Sequence, residues 1–132
     1  MNNDPLEEIF TSEKQLDPEV LASILKPFVK INVEMNSVFF TDAGNDLPLN
    51  DRLLLFFVAR KALKFKEKIE TEEISPSEII AETGFKAGSV HPGLKQLREQ
   101  GWVVSRGGKY FIGNYQLAKI KKFFESKEKH GA

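Results

Sequence analysis

The chain has 132 residues, of which 41% are hydrophobic and 29% are charged, and eleven are Phe. This length suits one domain with enough apolar side chains for a core, and a sequence without cysteine excludes disulfides and thiolate metal sites. The acidic N-terminus lacks a signal-peptide pattern, and the longest apolar run, Leu53 to Ala59, is too short to cross a bilayer. We therefore predict a cytoplasmic protein with no membrane partner.

The charges are unevenly distributed, although the formal net charge is zero. Residues 1–51 carry 3 Lys and 10 Asp or Glu, residues 52–85 carry 6 of each sign, and residues 86–132 carry 10 Lys or Arg and 3 Glu. The net charges of the three segments are therefore −7, 0 and +7. A basic third is typical of a surface that binds nucleic acid. The alternative is a basic tail that balances an acidic head by chance.

Residues 1–49 are predicted to form an acidic N-terminal extension. The first fourteen residues predict at most a loose helical turn. Asp17 and the proline after it suit an N-cap and a first helical position, and they begin a helix that Pro27 ends. Alternation from Phe28 to Asp42 predicts a hairpin or two short strands. Residues 43–49 have the composition of a loop.

A core helix is predicted next. Asn50 or Asp51 can cap it, and it extends to about Phe65. Its first two turns have almost no polar face, which predicts burial on several sides, whereas its second half is amphipathic and basic. After a charged linker, Ile74 is predicted to form a strand of one or two residues.

Two helical patterns then meet at Gly84. Ser75 to Glu78 forms a capping box that begins the first of them. The second extends from Phe85 to Gln100 and ends at Gly101. Its apolar face consists of Phe85, Val90, Leu94 and Leu97. Two short strands, Trp102–Val104 and Tyr110–Ile112, are predicted to follow, joined by a turn at Gly107-Gly108.

This order of elements resembles the winged helix-turn-helix family of small prokaryotic and archaeal transcriptional regulators. Counted from Gly84, that family has apolar residues where Val90, Leu94 and Leu97 stand, then a glycine and a large apolar residue where Gly101-Trp102 stands, and then the wing hairpin. The similarity covers residues 74–113, or 50–113 with the core helix.

The resemblance implies an α+β, mainly helical fold. It consists of an N-terminal helix plus β-hairpin extension (residues 1–49), a winged helix-turn-helix domain (residues 50–113) and a C-terminal helix (residues 114–132). It also implies binding to double-stranded DNA in transcription regulation.

The sequence departs from the family pattern at two places, and the second, Pro92-Gly93, weakens the prediction of base recognition. Ile80 occupies a position where the family usually has a small residue. Pro92-Gly93 lies in the half of the second helix that we expect to be exposed. Because proline has no amide proton, this helix either begins late, near Gly88 or Ser89, or is kinked.

The candidate DNA-binding residues fall into two groups. Cations that can contact phosphates are Lys86, Lys95, Arg98, Arg106 and Lys109. Side chains that can reach base edges are Lys86, Ser89, His91, Lys95 and Gln96. The alternatives are that His91 is an ordinary surface histidine and that the basic tip of the hairpin serves solubility. Backbone contact is better supported than base contact, and the best-supported candidates are the hairpin from Arg106 to Lys109 with Lys86 and Lys95.

The C-terminal helix has an apolar seam formed by Leu117, Ile120 and Phe124. This seam either packs on the core of the same chain or pairs with a second subunit. Regulators that resemble this chain typically bind as dimers, so a homodimer through this helix or through the N-terminal extension is a second expected partner.

No constellation of catalytic residues is present in the sequence. Neither His91 nor His130 has a carboxylate at ligand spacing, and Gly107-Gly108 lies within a hairpin rather than between a strand and a helix. We predict no enzymatic activity, no cofactor and no metal. The alternative to a DNA-binding regulator is a winged-helix protein–protein interaction module without intrinsic DNA binding. Pro92-Gly93 and the zero net charge favour that alternative.

Overall fold

The structure is a computed structural model that describes residues 5–6 and 16–130, with side chains up to residue 127. The helical turn predicted within residues 1–14 lies outside this range, except for residues 5–6. The described residues form a mainly helical α+β fold with two small antiparallel hairpins. Its elements are α1 (Pro18–Leu25), β1 (Val29–Ile31), β2 (Val38–Phe40), α2 (Asp42–Asn45), α3 (Leu49–Phe65), α4 (Pro76–Thr83), α5 (Ala87–Glu99), β3 (Val104–Arg106), β4 (Lys109–Phe111) and α6 (Leu117–His130).

Helix α3 lies at the centre of the core. Every side chain from Leu53 to Ala59 is buried, as expected of a helix that is apolar on all sides. Helices α1 and α5 both pack against it, and α6 packs against α1. The prediction of a basic, amphipathic second half is wrong for Arg60 and Lys61, which are 9% and 3% exposed. Their charged groups bond inward to other segments of the chain.

The N-terminal extension contains the predicted helix and hairpin. The Asp17 side chain accepts a hydrogen bond from the Glu19 amide and caps α1. Strands β1 and β2 pair with Val29 opposite Phe40. The prediction that residues 43–49 form only a loop is wrong, because the Thr41 hydroxyl accepts a bond from the Gly44 amide and caps the short helix α2.

The predicted cap of α3 is also wrong. The helix begins at Leu49, and its N-cap is Pro48, which makes no side-chain capping bond. Asn50 instead donates a 2.6 Å hydrogen bond to the Gln96 side chain of α5. Asp51 lies 3.3 Å from the Lys127 ammonium of α6. Both polar side chains therefore connect α3 to later helices.

The two helices that follow meet at Gly84, which has a φ of 76°. The predicted capping box of α4 is present, since Ser75 Oγ accepts the Glu78 amide and the Glu78 carboxylate accepts the Ser75 amide. Helix α5 begins at Ala87 rather than Phe85. Phe85 precedes it and stacks on Phe40 of β2, with ring centroids 6.1 Å apart.

Pro92-Gly93 lies within α5, which begins late, at Ala87, one residue before the predicted start near Gly88 or Ser89, and continues through Pro92 to Glu99. The position of Gly93 differs from its prediction. Gly93 is buried rather than exposed. A Cβ atom at Gly93 would lie 2.6 Å from Asn50 Oδ1 and 2.9 Å from Leu53 Cδ1. Gly93 therefore allows α5 to approach α3 closely.

The β3–β4 hairpin turns at Gly107-Gly108, where both φ angles are positive, as in a two-residue hairpin turn. Strand β3 begins two residues later than predicted, and strand β4 begins one residue earlier than predicted. Both shifts arise because Arg106 pairs with Lys109 across the turn. Trp102 precedes β3 and packs on Phe123 of α6. Ile74 forms the expected short strand and exchanges two hydrogen bonds with Tyr110, of 3.1 and 2.9 Å.

The apolar seam of α6 is occupied within the chain. Leu117, Ile120 and Phe124 are all buried, and the Phe124 ring centroid lies 5.7 Å from that of Phe28. Of the two alternatives for this seam, the structure has intramolecular packing, so these three residues offer no free surface to a second subunit. Among the described helices, none combines the length and the apolar character needed to span a bilayer.

Candidate nucleic-acid interface

The outward side of α5 is an exposed basic surface. The inner side of the helix, with Val90, Leu94 and Leu97, is buried against the core. His91, Lys95 and Arg98 are exposed and are spaced by four and three residues, so they lie along one side of the helix. We call these three residues the α5 face.

The cations of the α5 face have no carboxylate partner in the part of the chain that the structure describes. The one acidic residue of α5 is Glu99, in its last turn. The positive charges of Lys95 and Arg98 are therefore available to an external anion. Their position on a continuous helix also keeps the two cations on the same side.

The N-terminus of α5 adds two further predicted residues. Lys86 is the N-cap and Ser89 lies in the first turn; both are exposed, and no side chain caps this end. The partial positive charge of a helix N-terminus favours an anion there. Lys86, Ser89 and Arg52 line the same shallow depression.

Arg52 is a residue that the sequence did not single out. Its Nε donates to the Leu47 carbonyl at 3.2 Å, and its guanidinium carbon lies 5.3 Å from the Phe85 ring centroid. Arg52 is the first cation of α3, and nothing in the neighbouring sequence indicates that it faces the start of α5.

Gln96 is separated from the α5 face. Its side-chain oxygen accepts the 2.6 Å bond from Asn50, so this amide is engaged with α3. Ser89 is seven residues away and lies on the same side of α5 as Gln96. The predicted base-reading residues are thus divided between two sides of the helix, with His91 and Lys95 on the other.

Arg106 is held against the protein. Its Nη2 lies 3.2 Å from Glu73 Oε2, its Nε lies 3.4 Å from Glu73 Oε1, and its guanidinium carbon lies 4.8 Å from the Phe111 ring centroid. The side chain is nevertheless 68% exposed. The prediction placed Arg106 at the tip as a free cation, whereas the structure pairs it in a two-bond arrangement with a carboxylate.

Lys109 also has a carboxylate in its surroundings. Hydrogen bonds from the Ser75 hydroxyl and then the Ser75 amide lower the pKa of Glu78, and the positive charge of Lys109 lowers it further. Of the two hairpin cations, Arg106 is therefore ion-paired with Glu73, whereas Lys109 is near enough to Glu78 to affect its pKa but forms no ion pair in the described chain.

Arg60 is held inside the protein by bonds to the linker and to α4. Its Nε and Nη2 donate to the carbonyls of Glu72 and Thr71 at 3.1 and 2.9 Å, and its Nη1 lies 3.6 Å from Glu82 of α4. Burial lowers the pKa of the Arg60 guanidinium, although nearby carboxylates oppose this effect. Arg60 joins α3 to the linker and to α4, the helix that packs against α5.

Within residues 5–6 and 16–127, no group of three or more His, Asp or Glu side chains is arranged to hold a metal ion. Comparison of the chain with protein-family models, with curated proteins and with solved structures gives no match. The geometry described above is therefore the basis for a functional proposal.

Proposed function

We propose that this protein is a transcriptional regulator that binds double-stranded DNA through a winged helix-turn-helix domain formed by residues 50–113. The observation that carries the proposal is the α5 face, where Lys95 and Arg98 are exposed and unpaired within the described chain. The order α3, Ile74 strand, α4, α5 and β3–β4 hairpin supports the assignment of α5 as the helix presented to DNA.

In this proposal α5 enters the major groove, whose width admits one helix. Lys95 and Arg98 contact phosphates on one side, and Lys86 contacts a phosphate at the positive end of the helix. His91 lies between these cations and is the side chain best placed to meet a base edge. Because Gln96 is engaged with Asn50, we propose that sequence selectivity is modest and that phosphate contacts supply most of the affinity.

A salt series tests the proposal. The fluorescence anisotropy of a labelled duplex should report binding that weakens steeply between about 50 and 200 mM salt, because bound phosphates release counterions. Lys30→Ala controls for the loss of a positive charge outside the proposed domain, since Lys30 is an exposed lysine of β1 and is remote from that domain in sequence. Binding that is absent, or that does not depend on salt, would overturn the proposal.

A second candidate function is a winged-helix module that binds another protein. The exposed apolar residues of the β1–β2 hairpin favour it: Val33, Met35 and Phe39 are 79%, 77% and 51% exposed. A second copy of the chain is one partner that this surface would suit, and a homodimer through the N-terminal extension is compatible with both functions. Sedimentation of the protein and of a Val33→Ser, Met35→Ser double variant tests this. A monomer at tens of micromolar for both proteins would rule out such a dimer as a functional species.

A further inference from the structure

A groove outside the proposed interface has the features of a small-molecule site. It has a volume of about 550 Å³ and lies between the second half of α3, residues 71–73, the β3–β4 hairpin and residues 113–115. Sites for small ligands usually measure about 300–1,000 Å³ and combine apolar walls with a few polar groups. Among the residues that line the groove are Lys61, Lys64, Val104, Phe111 and Tyr115.

The polar end of the groove contains the buried Lys61. Its ammonium donates to Glu72 Oε1 at 2.6 Å and to Asn114 Oδ1 at 2.5 Å. An ammonium carries three protons, and the third has no acceptor within the described chain. A buried charge that is not fully hydrogen-bonded is costly, so an additional acceptor would stabilise Lys61.

The apolar walls of the groove include two aromatic rings, those of Tyr115 and Phe111. A side chain at Gly113 would collide with the Tyr115 ring, so the glycine allows that ring to rest directly on the backbone. Tyr115 is nevertheless 56% exposed. Val104 and Phe111 line the groove from the β3–β4 hairpin. Aromatic walls of this kind favour a planar apolar ligand.

The charges at the groove favour an anion. Both of its carboxylates already have partners, since Glu72 is paired with Lys61 and Glu73 with Arg106. Lys64 is exposed, lines the groove and has no ion pair within residues 16–127. One positive charge is therefore uncompensated, and it lies on the same helix, three residues from Lys61.

We propose that this groove binds a small planar aromatic carboxylate. The carboxylate accepts a hydrogen bond from the third N–H of Lys61 and forms an ion pair with Lys64. The aromatic body lies against Tyr115 and the apolar side chains of Val104 and Phe111. This binding requires no nucleic acid, so the inference does not depend on the proposed DNA-binding function.

Calorimetric titration of the full chain with naphthalene-2-carboxylate tests the inference, with naphthalene-2-carboxamide as the uncharged comparison. The carboxylate should bind saturably with one-to-one stoichiometry, and the carboxamide should bind at least about tenfold more weakly. Binding of neither compound, or equal binding of both, would contradict the proposed anion site.

Variants locate the site. Lys64→Gln and Tyr115→Ala change exposed side chains, so both should fold, and each should weaken carboxylate binding about tenfold. Lys61→Met should abolish the preference for the carboxylate over the carboxamide. Lys30→Gln on β1 is the control and should bind like the unmodified protein. If Lys64→Gln and Tyr115→Ala leave the affinity unchanged, the ligand binds elsewhere and the inference is wrong. Because no DNA is present in this titration, its failure leaves the DNA-binding proposal intact.

Discussion

The α5 face and the β3–β4 hairpin each carry two permanent cations, but the two pairs differ in whether carboxylates lie near them. Lys95 and Arg98 of the α5 face have no carboxylate partner in the described chain. Arg106 of the hairpin is paired with Glu73, and Lys109 influences the carboxyl of Glu78. An external phosphate must compete with Glu73 for Arg106, whereas it meets no ion-paired carboxylate at Lys95 or Arg98 in the described chain.

The sequence favours the hairpin together with Lys86 and Lys95 as the source of DNA affinity, and it predicts that Pro92-Gly93 weakens α5 as a reading helix. With the structure, we expect α5 to supply most of the DNA affinity. The structure places Gly93 on the inner side of α5. Its missing side chain therefore takes nothing from the exposed side.

The largest expected effect comes from removing the α5 cations. Lys95→Ala with Arg98→Ala should weaken duplex binding roughly fiftyfold at about 0.1 M salt and should flatten the salt dependence by about two units, because two phosphate contacts are lost. The matched variant is Arg106→Ala with Lys109→Ala, which removes the same charge and should have a clearly smaller effect. Anisotropy titrations of both variants decide between the elements. An equal or larger loss for the hairpin variant would reverse the comparison.

Gly93 sets the position of the α5 face, and its substitution should destabilise the fold. Gly93→Ala places a Cβ atom against Asn50 and Leu53, and crowding of this kind costs about 1–3 kcal/mol of unfolding free energy. Gly88→Ala is the control in the same helix, because a Cβ atom there meets nothing within 4 Å. It should stabilise the protein by about 0.5–1 kcal/mol. Urea unfolding measures both. A neutral or stabilising Gly93→Ala would show that α3 and α5 do not need this close contact.

Releasing Arg106 should strengthen DNA binding. Glu73→Gln removes a negative charge next to the hairpin and frees the guanidinium, so affinity should rise about threefold to tenfold at low salt. Glu70→Gln is the matched control, because Glu70 is exposed and has no ion pair in the described residues. Equal gains for both variants would mean that the effect is one of net charge and that Arg106 itself makes no contact.

Features encoded by neighbouring residues could be predicted from the sequence. The capping box of α4 lies within residues 75–78, and the turn of the β3–β4 hairpin depends on two adjacent glycines. The burial of α3 was also predictable, since the continuous apolar run from Leu53 to Ala59 has no polar side. In each case the determining interaction is local, or a continuous apolar pattern specifies it.

Features that depend on distant partners could not be predicted. Arg106 and Glu73 are 33 residues apart, and Asn50 and Gln96 are 46 residues apart. The same reason explains Gly93, whose neighbours lie on α3. Lys61 looked like part of a solvated basic face, because its acceptors on Glu72 and Asn114 belong to later segments. Which cations are free and which are paired is thus a property of the tertiary structure.

The smallest expected effect concerns the carboxylate that lies near Lys109. Ser75→Ala removes the hydroxyl that caps α4 and should lower the unfolding free energy by about 1 kcal/mol at neutral pH. The same hydroxyl is the main reason that the pKa of Glu78 lies below its ordinary value of about 4.5. A lowered pKa in the folded state stabilises the protein above the ordinary pKa, and this stabilisation is lost as pH falls through the folded pKa. The difference in unfolding free energy between Ser75→Ala and the unmodified protein should therefore shrink from pH 7 to about pH 3. It should shrink by only part of the total, because Glu78 is solvated.

Urea midpoints at both pH values measure this difference, with Ser105→Ala, an exposed serine of β3, as the control. A difference that is constant with pH would mean that the charge of Glu78 contributes nothing to the unfolding free energy through this hydrogen bond. The carboxylate near Lys109 would then gain no stabilisation from the capping box.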